Sequence, residues 1–323
     1  MRGRRRFLIG TGAVALAVGL GLAGMYRRDI GRARRALAAR PARIVETRHG
    51  PVEVAETGQG PALLMLHGTG GGFDQGLLLA RGLARHGYRI VAPSRFGYLG
   101  TPMPAGATHR HEAEAIADLL DALGLERVAV AGVSAGAIPA LSFAGLYPDR
   151  TAALLPLVPA LKPPGAPLVE PWPPLLEQAV FAALGSDLLF WAATRFARDR
   201  LIGTVLATDP ALVRAAPAAE RARIDALIDT LMPISARVEG LLFDNRQTNR
   251  VLDLPLDRIT APTLILSTED DRFMTARNAR WLAGRIAGSE LLILPDGGHV
   301  WAGHDDTATA AMLALLRDVQ AAW

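Results

Sequence analysis

The chain has 323 residues, half of them hydrophobic and a fifth charged, so it can bury a sizeable core and is not globally disordered. It contains no cysteine, which excludes disulfides, thiolate zinc sites, iron–sulfur clusters and a cysteine nucleophile. The charge is uneven: residues 1–43 hold 11 arginines and one acid, whereas the remainder holds 24 basic and 30 acidic residues. The globular part is therefore mildly acidic, which argues against nucleic acid as a partner.

An uncharged, largely apolar run, Phe7–Tyr26, lies near the N-terminus. It has about the length that a helix needs to cross a bilayer, and it is too apolar for the surface helix of a soluble domain. We therefore predict an N-terminal transmembrane or signal helix that associates with a membrane through residues 7–26. Arginines flank the run on both sides, at Arg2, Arg4, Arg5, Arg6, Arg27 and Arg28.

Three interpretations of this run stay open: an uncleaved membrane anchor, which we expect, a cleaved export signal, and a buried core helix. Because arginines lie on both sides, the positive-inside rule does not decide the orientation. Residues 3–8, Gly-Arg-Arg-Arg-Phe-Leu, resemble a twin-arginine export signal. That resemblance favours a membrane-anchored protein with its folded part on the periplasmic or extracytoplasmic side, or, after cleavage, a soluble exported protein.

The chain that follows alternates between the two periodicities of regular structure. Residues 27–42 predict a helical linker that ends at Pro41, and Arg43–Thr47 with Val52–Glu56 predict a β-hairpin. Short apolar strands then alternate with amphipathic helices, which is typical of an α/β domain with a mainly parallel sheet. The predicted strands are Ala62–Leu66, Tyr88–Ala92, Arg127–Ala131 and Ala152–Val158, and the predicted helices are Phe73–His86, Glu112–Leu123 and Ala135–Tyr147.

A proline-rich stretch after Pro159 interrupts the alternation, and helical patterns then continue to about Arg250. The strand and helix rhythm resumes at Thr263–Ser267, so the helical stretch predicts an insertion rather than a C-terminal domain. We expect four segments: 1–42, the anchor or export signal with its linker; 43–159, the first part of the core; 160–250, a helical cap; and 251–323, the second part of the core.

A serine between glycines lies where a predicted strand turns into a helix, in Gly132-Val133-Ser134-Ala135-Gly136. Glycines on both sides permit a tight turn that a Cβ would obstruct, and the turn presents the serine hydroxyl at the end of the strand. The following helix directs its positive dipole end towards developing negative charge. Ser134 is therefore a candidate nucleophile, and Gly132 and Gly136 support its motif.

A serine nucleophile needs a base and a carboxylate that orients the base. His299 follows the last predicted strand in a glycine-flanked loop, at the sheet edge where Ser134 is expected, and His304 is the second choice. Three acids follow the strand Thr263–Ser267, namely Glu269, Asp270 and Asp271. The pair His109 and His111 lacks a third ligand at metal-binding spacing, so neither a metal nor a cofactor is expected.

The order of serine, acid and histidine in the chain resembles that of the α/β-hydrolases over residues 43–323. The resemblance implies a mostly parallel eight-stranded sheet with helices on both faces and an inserted helical cap. A strand-end pattern of this family, Gly-x-x-Asp, identifies Asp271 as the acid, with Asp270 second, although Thr268 replaces the glycine. Likewise Ser94 replaces the aspartate in the family's Asp-x-x-Gly segment.

The resemblance also assigns an oxyanion hole. The residues after the strand Ala62–Leu66 are His67-Gly68-Thr69, and the family's donors correspond to the amides of Thr69 and Ala135. His67 and Gly68 then shape the loop. There is no Gly-Lys-Ser/Thr sequence, so this glycine-rich loop is not a P-loop.

These residues predict a serine hydrolase that cleaves a small-molecule, apolar ester or a related carbonyl compound through an acyl-enzyme, with Ser134, Asp271 and His299 as the triad. The same triad would serve acyl transfer, peracid formation or cleavage of a carbon–carbon bond beside a carbonyl. The alternative is a non-catalytic member of the fold that acts as a ligand-binding or interaction module at the membrane.

Overall fold

A computed structural model describes residues 2–166 and 173–320 of the chain, with side chains from residue 17 onward apart from positions 174, 177 and 178. The part of the predicted membrane run before residue 17 and residues 167–172 of the predicted cap therefore lie outside the described side chains. Within the described part, no helix is both long and apolar enough to span a membrane.

Eight strands form one sheet, in the order β1-β2-β4-β3-β5-β6-β7-β8. Strand β2 runs antiparallel to β1 and β4, and the other neighbours are parallel, which confirms the mostly parallel sheet. The strands are β1 (Ala42–Thr47), β2 (Gly50–Thr57), β3 (Ala62–Leu66), β4 (Arg89–Pro93), β5 (Val128–Val133), β6 (Thr151–Leu157), β7 (Leu264–Thr268) and β8 (Glu290–Leu294).

Helices cover both faces of the sheet, because its central strands are apolar on both sides. Along β3, Leu64 packs into one buried cluster and Met65 into the opposite one. The described helices are α1 (Arg2–Ala38), α2 (Phe73–Leu79), α3 (Arg81–Arg85), α4 (His109–Ala122), α5 (Ala137–Leu146), α6 (Pro174–Leu184), α7 (Asp187–Phe196), α8 (Arg198–Thr204), α9 (Pro210–Ala215), α10 (Ala218–Thr230), α11 (Val238–Thr248), α12 (Thr275–Ala283) and α13 (Asp305–Val319).

Three helix boundaries differ from the sequence prediction. The predicted helix Phe73–His86 is divided at Ala80 into α2 and α3. Helix α4 begins earlier than predicted, because the side chain of Thr108 caps it by accepting a hydrogen bond from the His111 amide. Helix α5 begins later than predicted, because the residues Ser134–Gly136 form a short 3₁₀ turn.

In the described part of the segment between β6 and β7 there are six helices, α6–α11, and we call them the helical insertion. The C-terminal half of α1 packs against this insertion. The indole of Trp191 donates to Asp29 at 3.1 Å and meets the ring of Tyr26 edge-on, while Ile30 is buried in the same apolar cluster. The predicted linker is therefore part of the packed structure, whereas Val18, Leu20 and Leu22, earlier in α1, are exposed.

Parallel register determines which loops meet at the carboxyl edge of the sheet. Leu66 of β3 pairs with Gly132 of β5, so the loop after β3 lies beside the turn that carries Ser134. Thr268 of β7 pairs with Leu294 of β8, so the two loops that hold the predicted acid and base also begin side by side.

Candidate active site

The turn after β5 forces Ser134 into an uncommon backbone conformation. Its φ is +55°, in the left-handed region that is costly for a residue with a side chain. The flanking glycines allow this geometry: a Cβ at Gly132 would collide with the carbonyl of Gly136, and a Cβ at Gly136 with the carbonyl of His67. The strained turn therefore orients the Ser134 hydroxyl. Its close packing explains why positions 132 and 136 are both glycine.

His299 and Asp271 form a buried hydrogen-bonded pair. The Nδ1 atom of His299 lies 2.7 Å from Asp271 Oδ2, and both side chains are almost completely buried. Asp271 also accepts hydrogen bonds from the amide of Phe273 at 2.8 Å and from the hydroxyl of Thr275. With Nδ1 occupied by the carboxylate, Nε2 is the ring nitrogen left to accept a proton.

The Asp271 carboxyl is stabilised in its charged form. Burial alone would raise its pKa, but the charge of His299 and the hydrogen bonds from His299, Thr275 and Phe273 outweigh burial and lower the pKa below its ordinary value. An ionised carboxylate at Nδ1 fixes the tautomer in which Nε2 is unprotonated, and it would stabilise the imidazolium that forms during proton transfer.

The competing acid and base have other partners. Asp270 accepts a hydrogen bond from the Gly298 amide at 2.9 Å, and Glu269 pairs with Arg280 on the surface. His304 lies 2.7 Å from Asp296 and is not among the residues that line the cavity described below. Asp271, rather than Asp270, is therefore the carboxylate in contact with His299.

Ser134 and His299 both line a cavity of about 500 Å³ between the sheet edge and the helical insertion. Within the described part of the chain the Ser134 hydroxyl makes no hydrogen bond, so it is free to face an incoming group; contacts between nucleophile and base often tighten only when substrate binds. Most of the lining is apolar, and the insertion supplies a large share of the apolar side chains, namely Phe181, Leu184, Phe190, Val205, Leu206, Leu227, Leu231, Ile234 and Leu241.

Two amides next to Ser134 are available as donors. The Thr69 amide makes no hydrogen bond to any described residue, and Thr69 lines the cavity. Ala135 is the second residue of the 3₁₀ turn, where the first N–H groups have no partner inside the helix. The structure therefore brings both predicted oxyanion donors to the neighbourhood of Ser134.

His67 is a structural residue of the loop after β3. Its Nδ1–H donates to the Gly68 carbonyl at 2.7 Å, and its Nε2 accepts from the Arg95 amide at 3.0 Å. Complete burial, together with the nearby charge of Arg95, holds the pKa of His67 well below its ordinary value, so the ring is neutral. Gly68 is held in turn by Gln75, whose side-chain oxygen accepts from the Gly68 amide.

The two histidines His109 and His111 have separate partners. His109 bonds the hydroxyl of Ser142 at 2.8 Å, whereas His111 stacks on His49. Over the described residues, no group of three or more potential ligands is arranged to hold a metal ion.

Sequence reasoning missed two buried ion pairs beside the site. Arg95 pairs with Asp244 at 2.7 Å, and Arg237 pairs with Asp74 at 3.0 Å, all four almost without exposure. In each pair one partner belongs to the helical insertion or the turn before α11. The other partner is Arg95, shortly after β4, or Asp74, in α2. No local signal in the sequence identifies such pairs, because each arginine and its aspartate are more than 140 residues apart.

Comparison with known proteins agrees with this architecture. The model of the alpha/beta hydrolase family matches residues 63–312. The uncharacterized hydrolase YcgS of Bacillus subtilis (strain 168) is 27% identical over 278 residues, which cover 82% of this chain and 94% of that protein. A solved alpha/beta hydrolase fold protein from Nakamurella multipartita is 30% identical, with a TM-score of 0.67, covering 86% of this chain and 99% of that one.

A second solved structure extends the likeness into the N-terminal helix. It is a membrane phospholipase A, described as a bacterial virulence factor, and it is 25% identical with a TM-score of 0.64. The match covers 98% of this chain and 99% of that one. On the family match and the fold together, this chain belongs to the alpha/beta hydrolase family.

Proposed function

We propose that the protein is a serine hydrolase that cleaves carboxylic esters through an acyl-enzyme. One observation carries the proposal: His299, oriented by Asp271 at Nδ1, shares a cavity with Ser134, whose backbone is strained and whose hydroxyl bonds no described residue. This arrangement gives a weak nucleophile the two groups that it needs, a base and an orienting carboxylate. Their order in the chain is that of this family.

In the proposed reaction, Ser134 Oγ attacks the ester carbonyl while His299 Nε2 takes its proton. Asp271 holds the imidazole and stabilises its charged form. The amides of Thr69 and Ala135 donate to the oxyanion of the tetrahedral intermediate. His299 then gives the proton to the leaving alcohol, and the same base activates a water molecule that releases the acid from Ser134.

The cavity supports a substrate with an apolar acyl group. Its walls are mainly Leu, Val and Phe side chains of the helical insertion, which we propose acts as a cap over the site. The polar side chains of the lining are Thr69, Gln75, Ser134, Arg223, Asn245, Thr248, Asn249, Asn278 and His299, of which three lie on α11 or directly after it. An ester whose carbonyl lies at Ser134 and whose chain extends beneath the cap matches this distribution.

We propose further that residues 7–26 anchor the protein in a membrane, with the folded part exported. Helix α1 continues from Arg2 to Ala38 and packs on the insertion from about Met25, so an anchored α1 would hold the insertion close to the lipid. Leu184 of α6, which lines the cavity, is also exposed. Further exposed apolar side chains of α6 and α7 are Leu175, Leu176, Leu188, Leu189 and Phe196. The likeness to a membrane phospholipase A over nearly the whole chain supports the proposal.

The membrane proposal is tested by fractionation of the full-length chain. We expect the protein to stay in membranes washed with alkaline carbonate. The double variant Val18→Asp/Leu20→Asp should be released, because each aspartate within a span costs roughly 3 kcal/mol. Release of the unaltered chain by the wash would contradict an anchored protein.

The hydrolase proposal is tested by the turnover of p-nitrophenyl esters. We expect Ser134→Ala and His299→Ala to abolish turnover without lowering the unfolding temperature. The control is His304→Ala, which removes the second-choice histidine and should retain activity. Turnover by Ser134→Ala would contradict the proposal, and an inactive but folded wild-type protein would favour the non-catalytic alternative.

A further inference from the structure

Asp244 of α11 contacts the loop that carries the proposed oxyanion donor Thr69. The hydroxyl of Thr69 donates to Asp244 Oδ2 at 3.1 Å, and the hydroxyl of Tyr98 donates to the same oxygen at 2.6 Å. The Tyr98 oxygen in turn accepts from the Gly70 amide at 3.3 Å. One carboxylate oxygen therefore holds two consecutive residues of this loop, directly and through one tyrosine.

The carboxylate is itself held rigidly. Both terminal guanidinium nitrogens of Arg95 donate to Asp244, at 2.7 and 3.1 Å, and Asp244 is 1% exposed. Arg95 also contacts Glu112 and donates to the His67 carbonyl at 3.3 Å, so it fixes the start of the same loop. Because the cluster is buried, these charge-assisted hydrogen bonds are strong and their geometry is narrowly defined.

We propose that Asp244 is a positioning residue that aligns the Thr69 amide for the oxyanion; this inference depends on the proposed hydrolase function. The Thr69 amide bonds no residue in the described part of the chain, so its direction is set by what holds the rest of the residue. The side-chain bond to Asp244 supplies that restraint. An oxyanion donor is effective only when its direction is fixed before the reaction.

The contact between Asp244 and Thr69 also connects the wall of the cavity with the proposed oxyanion donor. Helix α11 carries Asp244 and also places Leu241, Asn245 and Thr248 on the wall of the cavity. A substrate that packs against α11 therefore contacts the element that holds the oxyanion loop. The helical insertion, which a sequence reading takes only as a cover, contributes directly to the alignment of a catalytic amide.

The test removes the link without breaking the ion pair, because Asp244→Ala would also take away the carboxylate that both terminal nitrogens of Arg95 contact in the core. Thr69→Val keeps the shape of the side chain and deletes the hydroxyl, while Thr69→Ser keeps the hydroxyl. Tyr98→Phe deletes the second link. Thr263→Val is the matched control, since it removes a buried hydroxyl that bonds only the Ala261 carbonyl, at the opposite end of β7.

The readouts are kcat and KM for a p-nitrophenyl ester, the Ki of a trifluoromethyl ketone, which forms a tetrahedral oxyanion on serine, and the unfolding temperature. We expect Thr69→Val to lower kcat on the order of tenfold, less than the loss of an oxyanion donor itself, with KM little changed. Its Ki should rise by a similar factor. Tyr98→Phe should follow the same pattern, Thr69→Ser should lose clearly less kcat than Thr69→Val, and Thr263→Val should resemble wild type.

Two results would overturn the inference while the proposed function stands. One is an active wild type with Thr69→Val equal to it in kcat and Ki. The other is a Thr69→Ser variant that loses as much as Thr69→Val, since the hydroxyl would then have no special role. A folded wild-type protein that neither turns over esters nor binds the ketone would overturn the proposed function and this inference together.

Discussion

The buried pair of Arg237 and Asp74 predicts that the contact between the turn before α11 and helix α2 stabilises the fold. Arg237, in the turn before α11, is completely buried. Its two terminal nitrogens contact the two oxygens of Asp74 at 3.3 and 3.0 Å, and one of them also donates to the Gly71 carbonyl. Asp74→Ala would leave a guanidinium charge in the core without its counter-ion.

The size of the effect follows from this burial. Removing one partner of a buried pair costs about 3–5 kcal/mol, because the remaining charge is neither hydrated nor paired. An unfolding entropy of about 2.1 cal/mol/K per residue gives roughly 0.7 kcal/mol/K for 323 residues. Asp74→Ala should therefore lower the unfolding temperature by about 4–7 °C.

The assay is thermal unfolding followed by circular dichroism, for Asp74→Ala, Arg237→Met and the double variant Asp74→Leu/Arg237→Met. The double variant should be more stable than Asp74→Ala, because an apolar pair strands no charge. The exposed pair Glu269 and Arg280 is the control, and Glu269→Ala should leave the unfolding temperature unchanged. An unfolding temperature for Asp74→Ala within 1 °C of wild type would show that the buried Arg237 does not need Asp74 as its counter-ion.

Three further predictions concern the site. Asp271→Asn should lower kcat by more than a hundredfold and Asp270→Asn far less, since only Asp271 contacts His299; equal losses in steady-state assays would contradict this assignment. Each methylene added to a short acyl chain should raise kcat/KM about fourfold, from roughly 0.8 kcal/mol of apolar burial, until the cavity is full; a flat series of p-nitrophenyl esters would count against an apolar acyl site. Gly136→Ala should reduce the yield of soluble, active protein, because the new methyl group meets the His67 carbonyl; normal yield and activity would show that the turn tolerates a side chain.

Much of the fold is predictable because its cause is local. Five-residue apolar strands such as Ala62–Leu66 are buried on both faces, and their alternation with helices indicates a parallel sheet before any contact is known. The glycines around Ser134 were recognisable for the same reason, since the turn itself requires them. Asp271 and His299 follow consecutive strands, so a parallel sheet brings their loops to one edge.

The features that the sequence did not reveal depend on distant parts of the chain. Asp244 lies in an ordinary helical pattern, and only the folded structure places it on Thr69 and Arg95. Likewise, residues 27–42 have the composition of a linker, whereas Ile30 packs on the insertion, next to the contact of Tyr26 with Trp191. Neither contact has a signature within a few residues of sequence.

The proposed hydrolase activity requires that Ser134 be a nucleophile activated by His299. The most direct measurement treats the full-length protein with a fluorophosphonate probe and locates the adduct by mass spectrometry. We expect a single adduct on Ser134, which is absent in Ser134→Ala and forms much more slowly in His299→Ala. A folded protein that stays unlabelled, or that is labelled at another serine with Ser134 unmodified, would contradict it.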